Sequence, residues 1–528
     1  MLVFFSQMFV FFKKRLMLTA AITVAFIFAV SLYNEWLLFA FSVFAAFVAA
    51  VFIYEKAKGE YIFTAVLILA VILSGYFTNL KSQSFEKLDG VSCTGEFTVC
   101  ENPENMGNYY LYTLETVESD ILPKGAKIYV NGNCYFEFSQ KIRAEITLKR
   151  FYSSQSRNSF FGNGIYMGGH IKTYRKTGEN DFVLSIIAFL RNYIKTKVFE
   201  NYKTERAATM MAVTAGDKSF LSGDFYQNAK RAGVAHVLVV SGMHLSIIVS
   251  LFLYLTQKFF YNRFLKALII FFVTFSVMAV CGFTMSILRA GITYLLIALS
   301  LVLNRVNTSE NTLGFAVLII LLLKPFAILN IAFLLSVLST FAILVVAIPV
   351  INFLANRIGK KHIFTISALS IAVVSLSALI FTAPVVIYYF GYISVVSVIT
   401  NLLITTAVSA AMCTCVLGFL LPFCETVLFK ISEVYIFYVN SVINYFGSLK
   451  FAALKVPKYF SIIFIIIIIA ILFCLLACKV KRDMVKSKQI QFKLIAEGGC
   501  EENAAMFGTD FEKRNKKRKK KYIHIIRK

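Results

Sequence analysis

Long apolar runs alternate with short polar breaks through most of the chain, and most of them have the length that a helix needs to cross a bilayer, two of the later ones being short for it. Three come early, at Leu16 to Tyr33, Trp36 to Tyr54 and Tyr61 to Phe77, separated by Asn34-Glu35 and Glu55 to Glu60. From about Leu80 to Lys176 the pattern changes to short alternating segments, Tyr109 to Thr116, Lys127 to Tyr135 and Lys141 to Leu148, which read as strands. Turn residues divide them: Pro103 and Gly107, the L-P-K-G of Leu122 to Gly125, and Asn131 to Asn133. The alternation suits a small barrel or sandwich and does not choose between them.

Asp181 to Tyr193 has an apolar face but is short for a span, which fits an amphipathic interfacial helix. Beyond it, spans are expected at Val249 to Phe260, Phe264 to Cys281, Ser286 to Leu303, Leu313 to Leu323, Ile328 to Ile348, Ile363 to Phe381, Val386 to Ile404, Val408 to Leu420, Val427 to Tyr445 and Ser461 to Cys478. Pro325, Pro349, Pro384 and Pro422 mark breaks or kinks. The expectation is a polytopic α-helical membrane protein of about ten to twelve helices with one inserted all-β domain. Its parts are membrane helices over 1–79, the β domain over 80–176, a helical domain over 177–478 and a tail over 479–528.

Composition agrees, with 58% hydrophobic and 16% charged residues. The net charge of +26 says less than its placement. Lys13, Lys14 and Arg15 precede the first span and put the N-terminus in the cytoplasm. Retention of that span as a helix, rather than cleavage as a signal peptide, follows from the further spans directly behind it. Three crossings then make residues 80–176 external. The run Lys513 to Lys521, interrupted only by Asn515, reads as a cytoplasmic polybasic tail that binds anionic lipid, with nucleic acid or a protein as the other partners such a segment takes.

Cys93, Cys100 and Cys134 lie in the external part, where oxidation is permitted, so one disulfide with one thiol left over is expected. Cys93 and Cys100 meet if their segments form a tight hairpin. Three thiols with no nearby histidine make no metal site. The other cysteines act as small hydrophobes.

The densest chemistry lies in MMAVTAGDKSFLSGDFYQNAKRAGVAHVLVVSGMHLSIIV, residues 210–249. Asp224 to Arg231 reads as a short helix with an acid at its start, bases at its end and Gly233 as terminator. Gly216 and Asp217 end the preceding Lys203 to Val213 helix in the same way. His236, Ser241, Gly242 and His244 then interrupt an apolar run, as a broken helix beside an aqueous path does, or as a buried hydrogen-bonded histidine pair does. Ser241 and His244 also raise a hydrolase, but no orienting group and no G-x-S-x-G elbow accompany them, so no catalytic residue is assigned. Arg289, in an apolar span where an arginine costs about 2.5 to 3.5 kcal/mol, either snorkels or lines a route for an anion. Asn330, Ser336, Ser339 and Asn401 are polar singletons suited to hydrogen bonds between helices.

Residues 215–249, with SILRAG at 286–291, KPFAILNIAFLLSVLST at 324–340 and APVVIYYFGYISVVSVITNLL at 383–403, resemble the ComEC proteins, the inner-membrane channel of bacterial natural transformation. Met243 stands where that family often has leucine. The resemblance implies an OB-like barrel for residues 80–176, where Tyr109, Tyr110, Tyr112, Tyr135 and Phe138 are available to stack on bases. It implies a channel passing single-stranded DNA into the cytoplasm, with Asp217, Asp224, His236, Ser241, Gly242, His244 and Arg289 on the path or shaping it. The implied partners are single-stranded DNA, an envelope DNA receptor and a cytoplasmic ATPase or helicase, since no G-x-x-x-x-G-K-[ST] loop is present. Many members continue into a metallo-beta-lactamase-like domain, whose His-x-His-x-Asp-His cluster has no counterpart here, so a separate nuclease is implied. No cofactor is implied. A transporter of a lipid or another anionic small molecule satisfies the same hydropathy.

Overall fold

The computed structural model describes residues 59–472 and 474, apart from 102, 107–108, 258–261, 305–307 and 359–362. The first two expected spans and the polybasic tail lie outside the described residues. Seven described helices are long and apolar enough to cross a membrane: Val66–Glu86, Arg263–Val280, Met285–Val302, Ile331–Ile358, Thr365–Phe390, Ser397–Leu420 and Pro422–Ser448. Gly242–Thr256, Ser309–Leu323 and Phe460–Leu472 are shorter apolar helices. The chain is a multi-pass membrane protein with a small closed barrel inserted in it.

Helix α1, Gly59–Glu86, leads into the barrel, whose strands are β1 (Ser92–Val99), β2 (Tyr110–Ser119), β3 (Lys127–Gly132), β4 (Gln140–Lys149) and β5 (Ile165–Asn180). They close in the order β1-β4-β5-β3-β2-β1, with β3 and β5 parallel and the other pairs antiparallel. This is OB-fold strand order, and a helix, α2 (Ser154–Gly162), precedes β5. Alternation builds the core. Ile142, Ala144, Ile146 and Leu148 of β4 point inward with Ile128 and Val130 of β3, against Phe97, Tyr112, Leu114 and Phe136. A two-residue strand, Glu104–Asn105, adds to the outside of β2.

The expected disulfide is absent. Cys93, Cys100 and Cys134 are all free thiols. Cys93 is in β1 and Cys100 follows its last residue, so seven residues of extended chain, about 23 Å, hold them apart where a bridge needs a Cα separation of about 4.4 to 6.8 Å. There is no hairpin between them to bring them together.

The barrel is joined to the helices without a linker. Asp181 follows β5 directly and caps α3, Phe182–Asn201, by accepting from the Leu184 amide at 3.0 Å. That helix runs beyond the expected Tyr193, because Ile194 and Val198 pack against the bundle. Arg191 of α3 sits 4.8 Å from the Phe138 ring of the barrel and donates through Nε to the Val280 carbonyl at 2.7 Å.

Next come α4 (Thr204–Thr214), α5 (Gly223–Arg231), α6 (Gly242–Thr256), α7 (Arg263–Val280), α8 (Met285–Val302) and α9 (Ser309–Leu323). A 3-10 turn, Pro325–Leu329, precedes α10, Ile331–Ala342. Pro349 does not end the helical run: a π-helical stretch, Ile343–Ala347, carries the chain into α11, Ile348–Ile358. The shifted register supplies what a proline without an N–H requires. Pro384 is likewise inside α12, Ile363–Phe390. The apolar run from Val386 is therefore divided elsewhere than expected. Gly391, at φ +72°, and β6 (Tyr392–Ser394) turn the chain into α13, Ser397–Leu420. Helix α14, Glu425–Ser448, returns beside it, and β7 (Ala453–Lys455) pairs with β6.

Candidate functional site

Residues 215–249 thread between helices rather than forming one. Gly216, at φ +76°, ends α4, and Asp217 then accepts from the backbone and hydroxyl of Ser219 at 3.0 and 2.6 Å. Helix α5 begins on a Ser222 cap, with Asp224 exposed in its first turn. Arg231, its last residue, donates to the Leu449 carbonyl at 2.7 Å. Gly233 takes φ +75° and packs against the side chains of Ser394 and Ser397, so a side chain there lacks both room and a relaxed backbone. From Val234 to Val240 the chain is irregular. Val234, Val237, Leu238 and Val240 are buried, whereas the His236 side chain among them is exposed.

Ser241 then starts α6. His244, at the third helical position, is wholly buried, and its Nδ1 accepts from the Ser241 backbone N–H at 2.9 Å with Ser241 Oγ at 3.3 Å. This is the return half of a capping box, with histidine in the place of glutamate. Because Nδ1 accepts, the proton of the neutral ring is on Nε2, which has no partner among the described residues. Of the two histidines only His236 is exposed. His244 is buried because its imidazole is spent on the backbone.

Arg289 lies on α8 and is 8% exposed, so it does not snorkel to a surface. Its Nε donates to Ser336 Oγ of α10 at 2.9 Å, and Ser286 Oγ donates to the same oxygen at 3.3 Å. Its other side meets Gly242: a Cβ on that glycine would stand 2.8 Å from Nη2. Among the described residues no carboxylate pairs with it. Ser241, Gly242, His244 and Arg289 are thus one cluster. Asp217 is near it, since Gly216 packs on Val240 and Cys281, while Asp224 is outside it. The described residues hold no group of three or more metal-ligating side chains.

Two contributors go unread in the sequence. Ser336 is visible there as a polar singleton but not as the partner of Arg289. Arg191, within the field of Asp217, is signalled only by being the sole base in the first half of an apolar-faced helix. In the barrel, Tyr109 and Tyr135 are exposed, Tyr110 and Phe138 are half-buried, and Tyr112 is in the core.

Above the bundle, Asn330 ties the barrel to α10. Its Nδ2 donates to Asn163 Oδ1 at 2.8 Å, and its Oδ1 accepts from the Phe333 amide at 3.1 Å. Phe326 packs on Phe161 and Tyr166, with ring centroids 5.7 and 6.1 Å apart.

Residues 213–482 match the family described as Competence protein. ComE operon protein 3 of Bacillus subtilis (strain 168) is 25% identical over 216 residues, which are 40% of this chain and 26% of that relative. The shared stretch thus spans about a quarter of the relative's length. No solved structure matches. The family match takes in just over half of the chain and includes the whole cluster around Gly242 and Arg289, and the chain belongs to the competence protein family.

Proposed function

We propose that this chain conducts single-stranded DNA across a bacterial cell membrane during natural transformation. The observation that carries the reading is Arg289: a buried guanidinium with no carboxylate partner among the described residues, beside a broken helix, in the matched region. Such a charge is costly in a bilayer unless an anion visits it. His236, exposed in the irregular segment that leads into α6, supplies a polar group on the same stretch of chain. A strand of phosphodiesters exchanges part of its hydration for such groups during passage.

In this reading the barrel is external and both termini are cytoplasmic. Tyr109 and Tyr135 on the barrel meet bases before the bundle does. An envelope DNA receptor delivers the strand, a cytoplasmic ATPase or helicase draws it in, and a separate nuclease degrades its complement. Ser241 and His244 act as a helix cap and carry no covalent chemistry, since a base needs its second nitrogen oriented and Nε2 has no partner among the described residues.

The test is internalisation of labelled DNA in a competent host, normalised to membrane-inserted protein and run beside surface DNA binding. Arg289→Ala and His236→Ala lower uptake and leave surface binding intact. Normal uptake in both well-inserted variants sinks the proposal, and uptake of a small anion in place of DNA favours a transporter.

A further inference from the structure

We propose that the N-terminus of α6 and the guanidinium of Arg289 together form a discrete binding site for a phosphate-class oxyanion. Arg289 is more than nine-tenths buried and its guanidinium remains charged at any pH the protein meets. Among the described residues only Nε is engaged, by Ser336. Nη1 and Nη2 have no hydrogen-bond partner there, and Nη2 is turned to the first residue of α6.

That helix has fifteen residues, and its first amides have no acceptor within it. The Ser241 amide is taken up by His244 Nδ1, whose Nε2 has no partner among the described residues, and the amides of Gly242 and Met243 find no acceptor there. Two sets of unpaired donors thus converge at one end of α6, one carrying a full positive charge and the other the positive end of a helix dipole. Without a ligand they repel each other in a medium of low dielectric. An anion between them reverses the sign of both interactions.

The donor set selects the kind of anion. A guanidinium fork and two adjacent amides need several acceptor atoms in different directions, which a tetrahedral phosphate presents and a chloride ion does not. Gly242 is part of the design, because any side chain at that position puts a carbon 2.8 Å from Nη2. The same chemistry comes from two sources, free phosphate or a phosphodiester of a passing strand. The second source, and only that one, rests on the conduction of DNA proposed above.

The full chain in lipid nanodiscs is titrated with inorganic phosphate by calorimetry, alone and then in competition with a short oligothymidylate or its uncharged methylphosphonate counterpart. Wild type is expected to bind phosphate saturably, and Arg289→Gln and Gly242→Ala each to weaken binding by roughly tenfold or more. Arg289→Lys is expected to fall between, since it keeps the charge and loses the fork. Should Gly242→Ala fail to insert, the comparison of wild type with Arg289→Gln decides. No saturable phosphate binding by folded wild type, or equal affinity in Arg289→Gln, overturns the site. Displacement of phosphate by the charged oligonucleotide and not by the uncharged one identifies the phosphodiester. Phosphate binding that no oligonucleotide displaces upholds the site with free phosphate as its ligand and counts against DNA conduction, whereas lost DNA uptake without phosphate binding does the reverse.

Discussion

Asn330→Ala tests the join between barrel and bundle. Asn330 is 8% exposed and makes two side-chain hydrogen bonds, one capping α10 and one reaching Asn163 of the barrel. Loss of the cap costs about 1 kcal/mol, and loss of the partly buried amide pair about 1 more. The sum of about 2 kcal/mol raises local opening of the first turn of α10 roughly thirtyfold. Hydrogen exchange of the Phe333 amide in nanodiscs reads this directly, because that amide loses its acceptor. A cycle with Asn163→Ala separates the two parts, and a coupling of about 1 kcal/mol is expected between the pair. Unchanged exchange over residues 331–335, or a coupling near zero, refutes the reasoning: water would then be replacing both bonds, and the seam would be an unloaded contact. Ser336 is on the same helix, so DNA uptake is expected to fall with the loosened turn.

Other outcomes rest on the same contacts. Gly162→Ala places a Cβ 2.8 Å from the Asn330 backbone nitrogen, which cannot yield as a flexible side chain does, so it destabilises the docked barrel by about 1 to 3 kcal/mol, read as a lowered melting midpoint. Mass analysis without reductant finds Cys93, Cys100 and Cys134 as free thiols, and a bridge between Cys93 and Cys100 contradicts the strand assignment. Burial and the neighbouring Glu115 carboxylate push the Cys100 thiol up to about 12, so near pH 8 it alkylates more slowly than an ordinary thiol. Burial, with Asp120 adding to it, raises Cys93 to about 11, and burial raises Tyr112 to about 12. Above pH 9 the folded barrel therefore holds protons that the unfolded chain has lost, and stability falls with rising pH up to about 12; a midpoint that stays level between pH 9 and 11 excludes this. Arg289→Lys retains more DNA uptake than Arg289→Ala if charge suffices, and no more if the planar fork is required.

The sequence discloses elements where one period dominates. Strands β2, β3 and β4 fall where alternation sets them, and α5 ends at the glycine that terminates it. Strands β1 and β5 escape notice, because SCTGEFTV has small polar residues between its inward positions and IYMGGHIKTYRKTGEN turns polar along an edge that leaves the core. Hydropathy alone cannot find the turn at Gly391, where an apolar chain reverses without a polar residue to mark it. The cysteine pairing fails for the same reason in another form: seven residues suggest a loop only until the strand between them is seen. At the site, Gly242, His244 and Arg289 stand out by residue type. That Gly242 faces Arg289, and that Ser336 holds it, depends on helices brought together across the bundle, which no local pattern encodes.

The direct passage from β5 into α3 has a mechanical consequence. Asp181 is the whole of the connection, and its side chain and backbone are both engaged, at Leu184 and Ser139. The barrel is therefore a bracket rather than a pendant. Force applied to its wall has no slack to take up and is delivered to α3, whose Arg191 grips the last carbonyl of α7, and through Asn163 to the head of α10. If the chain conducts DNA as proposed above, a strand pulled across the barrel loads α3 and the head of α10 at once.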